Sequence, residues 1–417
     1  MLPKFTLYVR AIALLLYWQV IRHLSRHGLV LGANTLTNII PTLYEALDVV
    51  SRELIGFIPA VSRDSSAERA ALGETINIPV VPAAVAADIT PGVTAPDTGD
   101  QVIGNTSMTI SKSRMVPVRW TGEEQKGVRN SGMYPSVNTQ RFAQAMRTLV
   151  NEVEADLAAL HVFSSRAYGT PGTTPFGTAA DLSDNAQMLK LLDDNGAPAD
   201  RHAVLGGSAI ANIRGKQSVL FKVNESGTDQ LLRMGIIGDL QGAAVHNSPA
   251  VKRPAIGTNS GATTTAAGFA IGTTNIPTAA AGTGTIVAGD IITFAGDTNK
   301  YVVTTGVANV ASASVLLTIA EPGLLQAIPA SATAITTSAI TTRNMYFSRS
   351  AIGLVTRAPA LPEEGDAASD VIEIVDPVSG LAFQVAMYKQ YRQVHFEVGL
   401  AWGTKSIAPR HQMILIG

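Results

Sequence analysis

A few acidic and histidine side chains have spacings that could bind a metal ion. Glu152 and Asp156 lie four residues apart, which places two carboxylates on one face of a helix. His23 and His27 have the same spacing near the N-terminus. A solvated helix face explains the carboxylates more simply, and a basic segment explains the histidines. The run Asp193-Asp194-Asn195-Gly196 begins like a calcium loop, but the closing bidentate glutamate is missing, and the run is better suited to end a helix.

Motifs for nucleotide binding and hydrolysis are missing from the sequence. Gly215-Lys216 has no glycine at the upstream position of a P-loop and is followed by Gln217. There is no H-E-x-x-H, no G-x-S-x-G, and no G-x-G-x-x-G after a strand pattern. The absence of cysteine excludes disulfides, thiolate catalysis and cysteine-ligated metals. Sequence order does not test for a Ser/His/Asp arrangement, but no residue points to one. We therefore expect no enzyme activity, no cofactor and no metal.

The chain is apolar and poor in charge. Of its 417 residues, 46% are hydrophobic and 15% are charged, against roughly 25% charged in typical domains. Because charged residues are depleted at the centres of interfaces, this composition predicts a surface largely covered by partners. The alternative is an ordinary Gly/Ala/Thr-rich β protein. A net charge of −1 argues against a concentrated basic surface and leaves only non-specific contact with nucleic-acid phosphates.

The first 32 residues differ from the rest of the chain. The apolar stretch at residues 11–18 is shorter than the about 20 residues that a membrane span needs. Basic residues follow it, and Leu31 stands where a signal-peptide cleavage site needs a small residue. We expect neither membrane anchoring nor secretion. Two interpretations stay open: an amphipathic N-terminal extension, or a start codon assigned too far upstream, with the working protein beginning near Ala33.

Two elongated elements are predicted in the first half of the chain. Residues 138–166 carry apolar side chains at steps of three and four, which indicates a helix about 40 Å long at ~1.5 Å rise per residue. Residues 75–80 and 108–120 alternate like strands and enclose a Pro- and Gly-containing tract. This predicts a long two-stranded arm with an irregular tip. Since a lone ribbon is marginally stable in water, we expect it to lie on a neighbouring subunit; a hairpin packed on its own domain is the alternative.

The remaining segments predict a mixed α+β fold. Helical spacing covers residues 35–58, 183–192 and 208–213, and strand patterns cover 202–205, 243–246, 344–355, 371–375, 382–400 and 406–416. Residues 257–340 carry only four charged side chains, Asp290, Asp297, Lys300 and Glu321, among Thr, Ala, Gly and Ser. This abrupt shift in composition predicts a β-rich module inserted into a loop, where added length costs little closure entropy.

The order of these segments resembles the major capsid proteins of tailed double-stranded DNA phages, which have the Hong Kong 97 (HK-97) fold. Residues 34–54 resemble its N-terminal arm, 88–122 its extended E-loop, 138–166 its spine helix, and 192–205 the start of its axial domain. The closing residues 402–417, with Pro409-Arg410-His411, resemble the last axial strand. The segment 289–296 is similar to the extra β-barrel of the P-22-like coat proteins of short-tailed Salmonella phages.

The resemblance implies a division of the chain. Its parts are a doubtful extension (1–32), the N-terminal arm (33–73), the E-loop (74–131), the spine helix and peripheral domain (132–180), the axial domain (181–256 and 343–375), an inserted all-β, barrel-like domain (257–342), peripheral strands (376–400) and a closing axial strand (401–417).

It also implies a function. The chain would assemble with itself as hexamers and pentamers into an icosahedral phage head around double-stranded DNA. A scaffolding protein and a portal would be partners, DNA contact would be non-specific, and assembly would take place in the host cytoplasm before the protein resides in the virion. The residues expected at intersubunit contacts are Asp88, Pro91, Asp97, Asp100, Lys112, Arg114, Arg119 and Trp120. In that family the inserted domain supports folding and subunit contacts; with so few charges, we expect mainly the folding role here.

Three functions other than that of a phage head protein remain as alternatives. An encapsulin-like compartment shell would share the fold, but the inserted module counts against it. A secreted β-rich adhesin would suit the Thr/Ala/Gly tract, yet the long amphipathic helix argues against it. An enzyme with an unrecognised site is the third.

Overall fold

The computed structural model describes residues 56–80, 86, 88–89, 91, 93, 104–130, 134–217, 238–312, 314–363, 365–375 and 381–417. The N-terminal extension and most of the helical pattern over 35–58 therefore lie outside the described residues. Helices are α1 (Gly122–Asn130), α2 (Tyr134–Ala159), α3 (Ser183–Asp194) and α4 (Gly207–Lys216). Strands are β1 (Ser62–Ala70), β2 (Thr75–Val80), β3 (Gly104–Thr109), β4 (Lys112–Thr121), β5 (Arg166–Tyr168), β6 (Arg201–Leu205), β7 (Asp239–Leu240), β8 (Ala243–Asn247), β9 (Asn275–Thr278), β10 (Ile291–Phe294), β11 (Lys300–Thr305), β12 (Val315–Ile319), β13 (Ile335–Thr337), β14 (Arg343–Ser348), β15 (Ile352–Pro359), β16 (Asp370–Val375), β17 (Ala382–Gln390), β18 (Gln393–Ser406) and β19 (Gln412–Ile416).

The long helix α2 packs on a six-stranded sheet. The sheet has the order β1-β15-β18-β17-β16. The whole of β4 pairs with residues 393–402 of β18, on the edge of β18 opposite to β15 and β17. Leu149, Val153 and Leu157, spaced by four, are buried against Trp402 and Phe383 of the sheet. The predicted α+β fold class is confirmed, and the helical periodicity correctly indicated the buried face.

The predicted limits of the long helix are wrong at both ends. It begins at Tyr134 rather than 138, because Pro135 suits a first turn, where no backbone N–H is needed. It ends at Ala159, followed by a 3-10 turn at Leu160–Phe163. Arg166, predicted to be helical, belongs to β5, because its backbone pairs with both β11 and β19. Sheet hydrogen bonds therefore replace helical ones beyond the turn.

A second sheet forms the other half of the molecule. Its order is β13-β10-β11-β5-β19-β14-β6-β8-β7. The parallel strands β6 and β8 pair side by side, although α4 and β7 lie between them along the chain. Helices α3 and α4 contribute Met188, Leu192, Ile210 and Ile213 to the core beside them. The predicted short helices and the strand over 202–205 are confirmed.

Two predicted long strands are each divided. The stretch 108–120 breaks at Ile110 and Ser111, since β3 pairs with β2 while β4 pairs with β18. The stretch 382–400 folds back on itself at Tyr391 and Arg392, and the two arms, β17 and β18, pair with each other. Polar residues interrupt the apolar alternation near both breaks, with Lys112 and Arg114 after the first and Lys389, Gln390, Arg392 and Gln393 at the second.

A buried carboxylate joins three distant segments. Glu154 of α2 is 3% exposed. Its Oε1 accepts hydrogen bonds from the backbone N–H groups of Phe57 (2.9 Å) and Ile58 (2.8 Å), and its Oε2 accepts from the Ser248 hydroxyl (2.8 Å). Gly56 permits this approach, since a Cβ there would lie 2.7 Å from Ser248 Cβ. Glu154 therefore fixes the segment 56–58 and the segment after β8 onto the helix.

Replacing Glu154 with Gln should lower the free energy of unfolding by about 3 kcal/mol, because an amide presents N–H groups to buried donors and removes the negative charge. Urea denaturation followed by tryptophan fluorescence measures this. Glu152→Gln, on the same helix but partly exposed, is the matched control and should change stability by less than about 1 kcal/mol. Equal effects of the two substitutions would contradict the role given to Glu154.

Candidate assembly surfaces

A two-stranded ribbon projects from the six-stranded sheet. Strands β2 and β3 pair antiparallel from Thr75↔Thr109 to Val80↔Gly104, and they form a sheet of their own. Residues 81–103 connect them, and most of this connection lies outside the described residues. The two-stranded arm predicted from the alternation is confirmed, with 104–109 rather than 108–120 as its second strand.

The root of the ribbon is packed on the chain's own sheet. Met108 and Ile110 are 1% exposed and lie in a small core with Val355 and Ala401. Gly403 allows the close approach, because a Cβ there would lie 2.1 Å from the Thr109 carbonyl oxygen. The N–H of Ile110 donates to Glu74 O (2.9 Å), and Lys405 Nζ donates to Ser107 O (2.7 Å). The direction in which the ribbon leaves the body is therefore fixed at its base.

Beyond the root, most side chains whose burial is described in the ribbon and its tip are exposed. Ile89 is 98% and Val93 is 106% exposed, which is unfavourable for large apolar side chains in water. Asp88 and Pro91 are exposed beside them. Asp97 and Asp100, also predicted at intersubunit contacts, lie outside the described residues. Apolar side chains on a two-stranded element with open edges are the features of a surface that another chain covers.

The remaining predicted contact residues are on β4, and the structure gives most of them partners within the chain. Lys112 Nζ lies 2.7 Å from Asp156 Oδ1, and Arg114 Nε lies 3.5 Å from Glu152 Oε2. The two carboxylates considered as metal ligands thus face β4 in ion pairs, and the helix face expected to be solvated is only partly exposed there. The two cations therefore connect the strand to the helix.

Trp120 is buried, and Arg119 is exposed. The Trp120 side chain is 2% exposed and lies under the guanidinium of Arg141, 4.5 Å from the ring centroid. This places Trp120 in the chain's own core rather than on a surface that faces a neighbour. Arg119 points to the opposite side of β4, next to the exposed Met115 and Pro117. Strand alternation explains why neighbouring residues have such different positions.

The charge-poor segment forms a small closed β structure. Strands β9, β12, β11, β10 and β13 pair in that order. The segment 262–265 closes the sheet: Thr264 N–H donates to Thr333 O (2.9 Å) beside β13, and Thr265 N–H donates to Pro277 O (3.1 Å) in β9. The interior holds a separate apolar core that includes Ile276, Ile292, Val303 and Leu317. The predicted β-rich module is thus a barrel-like unit with its own core.

Buried charges hold the base of this unit. Asp290 is 1% exposed and accepts hydrogen bonds from the N–H groups of Val287 (2.9 Å) and Gly257 (3.1 Å). Arg343, where the chain leaves the unit, donates to Thr341 Oγ1 (2.7 Å). Burial raises the pKa of Asp290 and lowers the pKa of Arg343 to about 10, while the charge of Asp290 acts on Arg343 in the opposite direction. Burial thus disfavours both charges, and the hydrogen bonds of Asp290 and Arg343 hold the neck where the chain enters and leaves.

Strands β13, β10 and β11 of the barrel-like unit continue the second sheet beyond β5. Tyr301 and Lys300 of β11 pair with Arg166 and Ala167 of β5, and Lys300 Nζ donates to Gly169 O (2.7 Å). Asp297 accepts from the Tyr301 hydroxyl (2.6 Å). Three of the four charged residues in the segment therefore make contacts within this chain.

A polar cavity of 620 Å³ lies beside this junction. Its wall includes Asp181, Asp184, Lys216 and Lys300. Most of these charged side chains form hydrogen bonds with backbone groups. Asp184 accepts a hydrogen bond from Phe176 N–H, and Asp181 accepts one from Ser183 N–H. In the described part of the chain, no group of three or more His, Asp or Glu side chains is placed to hold a metal ion. Among the same residues, no helix is long and apolar enough to cross a membrane.

No model of a known protein family matches the chain, and no curated protein matches it. Among solved structures, it is similar to the capsid of Cyanophage P-SCSP1u, with 12% identity, a TM-score of 0.44, and coverage of 94% of this chain and 91% of that one. It is similar to the capsid of Myoviridae phage XM1 at 10% identity and a TM-score of 0.41, covering 87% and 92%. A virus-like particle from Pyrococcus furiosus is similar at 10% identity and a TM-score of 0.38, covering 91% and 100%. At identities of 10–12% and TM-scores below 0.5, the similarity concerns only the overall course of the chain.

Replacing Asp290 with Asn should destabilise the barrel-like unit by about 2 kcal/mol, because the amide NH2 would face the buried N–H of Gly257, which lies 3.2 Å from Asp290 Oδ1, and Arg343 loses its counter-charge. Cleavage by thermolysin within residues 257–342, measured against urea concentration, reports this change. Glu321→Gln, an exposed carboxylate in the same unit, is the control and should shift stability by less than about 0.5 kcal/mol. Unchanged protease resistance in the Asp290 variant would contradict the role of the neck.

Proposed function

We propose that this chain is a structural shell subunit, the major capsid protein of a tailed double-stranded DNA phage, which assembles as hexamers and pentamers into an icosahedral head. The observation that carries this proposal is the ribbon β2–β3. It has a rigidly packed root, open strand edges and a tip with almost fully exposed Ile89 and Val93.

The ribbon has the properties of an element that is completed by another subunit. Two strands without a third are marginally stable in water, and their unpaired edges are available for pairing. Burying one large apolar side chain contributes roughly 1.5–3 kcal/mol. Because the root is fixed by Met108 and Ile110, each subunit would present the tip in the same direction, as a closed symmetric shell requires.

The body behind the ribbon is suited to repeated contacts. The helix α2 is connected to the sheet by an apolar core and by the pairs Lys112–Asp156 and Arg114–Glu152. Trp402 Nε1 adds a hydrogen bond of 2.9 Å to Asp156. A body fixed in this way would transmit the geometry of one contact to the next, and many weak contacts become strong through multivalency.

The intersubunit residues that we propose are those with exposed side chains. Asp88, Pro91 and Arg119 are exposed, and Asp97 and Asp100 follow Val93 in the sequence of the same connection, outside the described residues. Lys112 and Arg114 would act indirectly, by holding β4 on the helix, and Trp120 by filling the core beneath it.

The barrel-like unit is proposed to be an inserted domain, as in the P-22-like coat proteins. It occupies residues 257–342 between β8 and β14, which are both in the second sheet. Its buried Asp290 and its paired Asp297 and Lys300 support a folding role over salt bridges to neighbours. The division into arm, E-loop, spine, peripheral and axial parts given above is proposed for the rest of the chain.

The partners proposed are other copies of the chain, a scaffolding protein and a portal, with non-specific contact to packaged DNA. Assembly would take place in the host cytoplasm, and the mature protein would be part of the virion. The role is structural and not enzymatic; the low overall charge and the use of the described ion pairs within the body support this proposal.

The tip variant Ile89→Asp/Val93→Asp should yield soluble subunits that do not form particles, because the change removes apolar burial at every repeated contact and adds charge there. Negative-stain microscopy and sedimentation of the expressed protein measure particle yield. Deleting residues 88–103 should have the same effect. Ile271→Asp, an equally large change at a side chain 67% exposed on the barrel-like unit, is the control and should still assemble. Normal shells from the tip variants would overturn the role of the ribbon.

A further inference from the structure

Two histidines from neighbouring strands face each other in the second sheet. His202 lies on β6 and is 4% exposed, and His246 lies on the parallel strand β8. His202 Nδ1 and His246 Nε2 are 3.1 Å apart. On its other side, His202 Nε2 lies 3.0 Å from Asp200 Oδ1 and 3.1 Å from Arg349 Nη2.

The distance between the rings restricts their protonation. A hydrogen bond between two imidazole nitrogens needs one nitrogen with a proton and one without. Two neutral rings satisfy this condition in either direction. Two imidazolium rings do not, because each facing nitrogen then carries a proton. The contact is therefore compatible with at most one added proton on the pair.

The surroundings of the two rings further disfavour the addition of a proton to the pair. Arg349 faces His202 with a permanent positive charge, and Asp200 and Asp239 act in the opposite direction. Burial, together with the charge of Arg349, lowers the pKa of both histidines below the ordinary value of 6.5; Asp200 and Asp239 offset only part of this. Both rings are thus neutral at neutral pH.

Arg349 connects this pair to the segment that leads to the N-terminal part of the chain. Its Nε donates to Asp200 Oδ2 (2.7 Å), and its Nη1 reaches the carbonyl oxygen of Pro59 (3.4 Å). In the same segment, the ring of Phe57 stacks on that of Phe347 with 6.3 Å between the centroids. Residues 56–61 are thus held by Glu154 on one side and by Arg349 on the other.

We propose that His202, His246, Asp200 and Arg349 form an acid-sensitive latch on residues 56–61. When both histidines are protonated, the contact between their rings breaks, and the positive charge on His202 repels the guanidinium of Arg349, whose Nη2 lies 3.1 Å from His202 Nε2. Arg349 then loses the position from which it binds the carbonyl oxygen of Pro59. Residues 56–61 are no longer held by Arg349. The latch goes beyond shell formation, since it acts within one subunit.

The direction of the pH effect follows from the lowered pKa values. A histidine whose pKa is lower in the folded protein stabilises the fold fully above its unfolded pKa of about 6.5, and this contribution is lost as the pH falls through the folded value. Release should therefore occur below about pH 6.5 and not above it.

Hydrogen–deuterium exchange of the full-length chain tests the latch, with rates corrected for the intrinsic effect of pH. Between pH 7.5 and pH 5, exchange in residues 56–61 should rise about tenfold, which corresponds to about 1.4 kcal/mol of lost protection. His246→Gln keeps a neutral hydrogen-bonding group and should reduce the rise to less than about twofold. His395→Gln, a histidine outside the cluster, is the control and should behave like the unchanged protein.

Two results would overturn the latch: exchange in residues 56–61 that does not depend on pH, or the same dependence with and without His246. If the His246 variant does not fold, the unchanged protein still decides the matter. Its thermal midpoint must fall as the pH decreases from 6.5 to 5, and histidine proton resonances for this pair must titrate below 6.5. Titration at or above that value would contradict the proposal.

Discussion

The structure depends on one buried charge, the carboxylate of Glu154. A carboxylate removed from water is stable only where its oxygens keep strong hydrogen bonds. Here the donors come from Phe57, Ile58 and Ser248, which are about a hundred residues away along the chain in either direction. This requirement fixes the positions at which residues 56–58 and the segment after β8 contact the helix. The helix α2 is therefore the element to which the other parts of the body are attached.

The two projecting elements leave this body at positions fixed by packing. The ribbon β2–β3 is attached beside β15 and β18 through Met108 and Ile110, and the barrel-like unit is attached through Asp290, Arg343 and the pairing of β11 with β5. Each has a well-packed base, but the apolar side chains at the ribbon tip are more exposed: Ile89 is 98% and Val93 is 106% exposed, against 67% for Ile271 on the barrel-like unit. This difference separates a proposed contact element from a proposed folding element.

Sequence reasoning was successful where the period of the pattern matches a local structure. The apolar spacing in α2, the helices α3 and α4, and the composition of residues 257–340 each indicate one element type, and each is confirmed. It was unsuccessful where contacts are distant. Glu154 has the same residue type as its neighbour Glu152, and only folding shows that one is buried and the other partly exposed. Likewise, His202 and His246 are 44 residues apart and meet only because β6 and β8 are parallel neighbours. The end of α2 was predicted wrongly because Arg166 pairs with strands β11 and β19, which are distant in sequence. No local pattern of residues indicates such a pairing.

The central claim is that this polypeptide acts by binding copies of itself in a fixed geometry. Its most direct test is electron microscopy of the purified, unmodified protein at rising concentration, combined with analytical ultracentrifugation. We expect closed particles or their hexamer and pentamer building units, in equilibrium with few free subunits. A single monomer species across the whole concentration range, with scaffolding protein supplied or not, would contradict it.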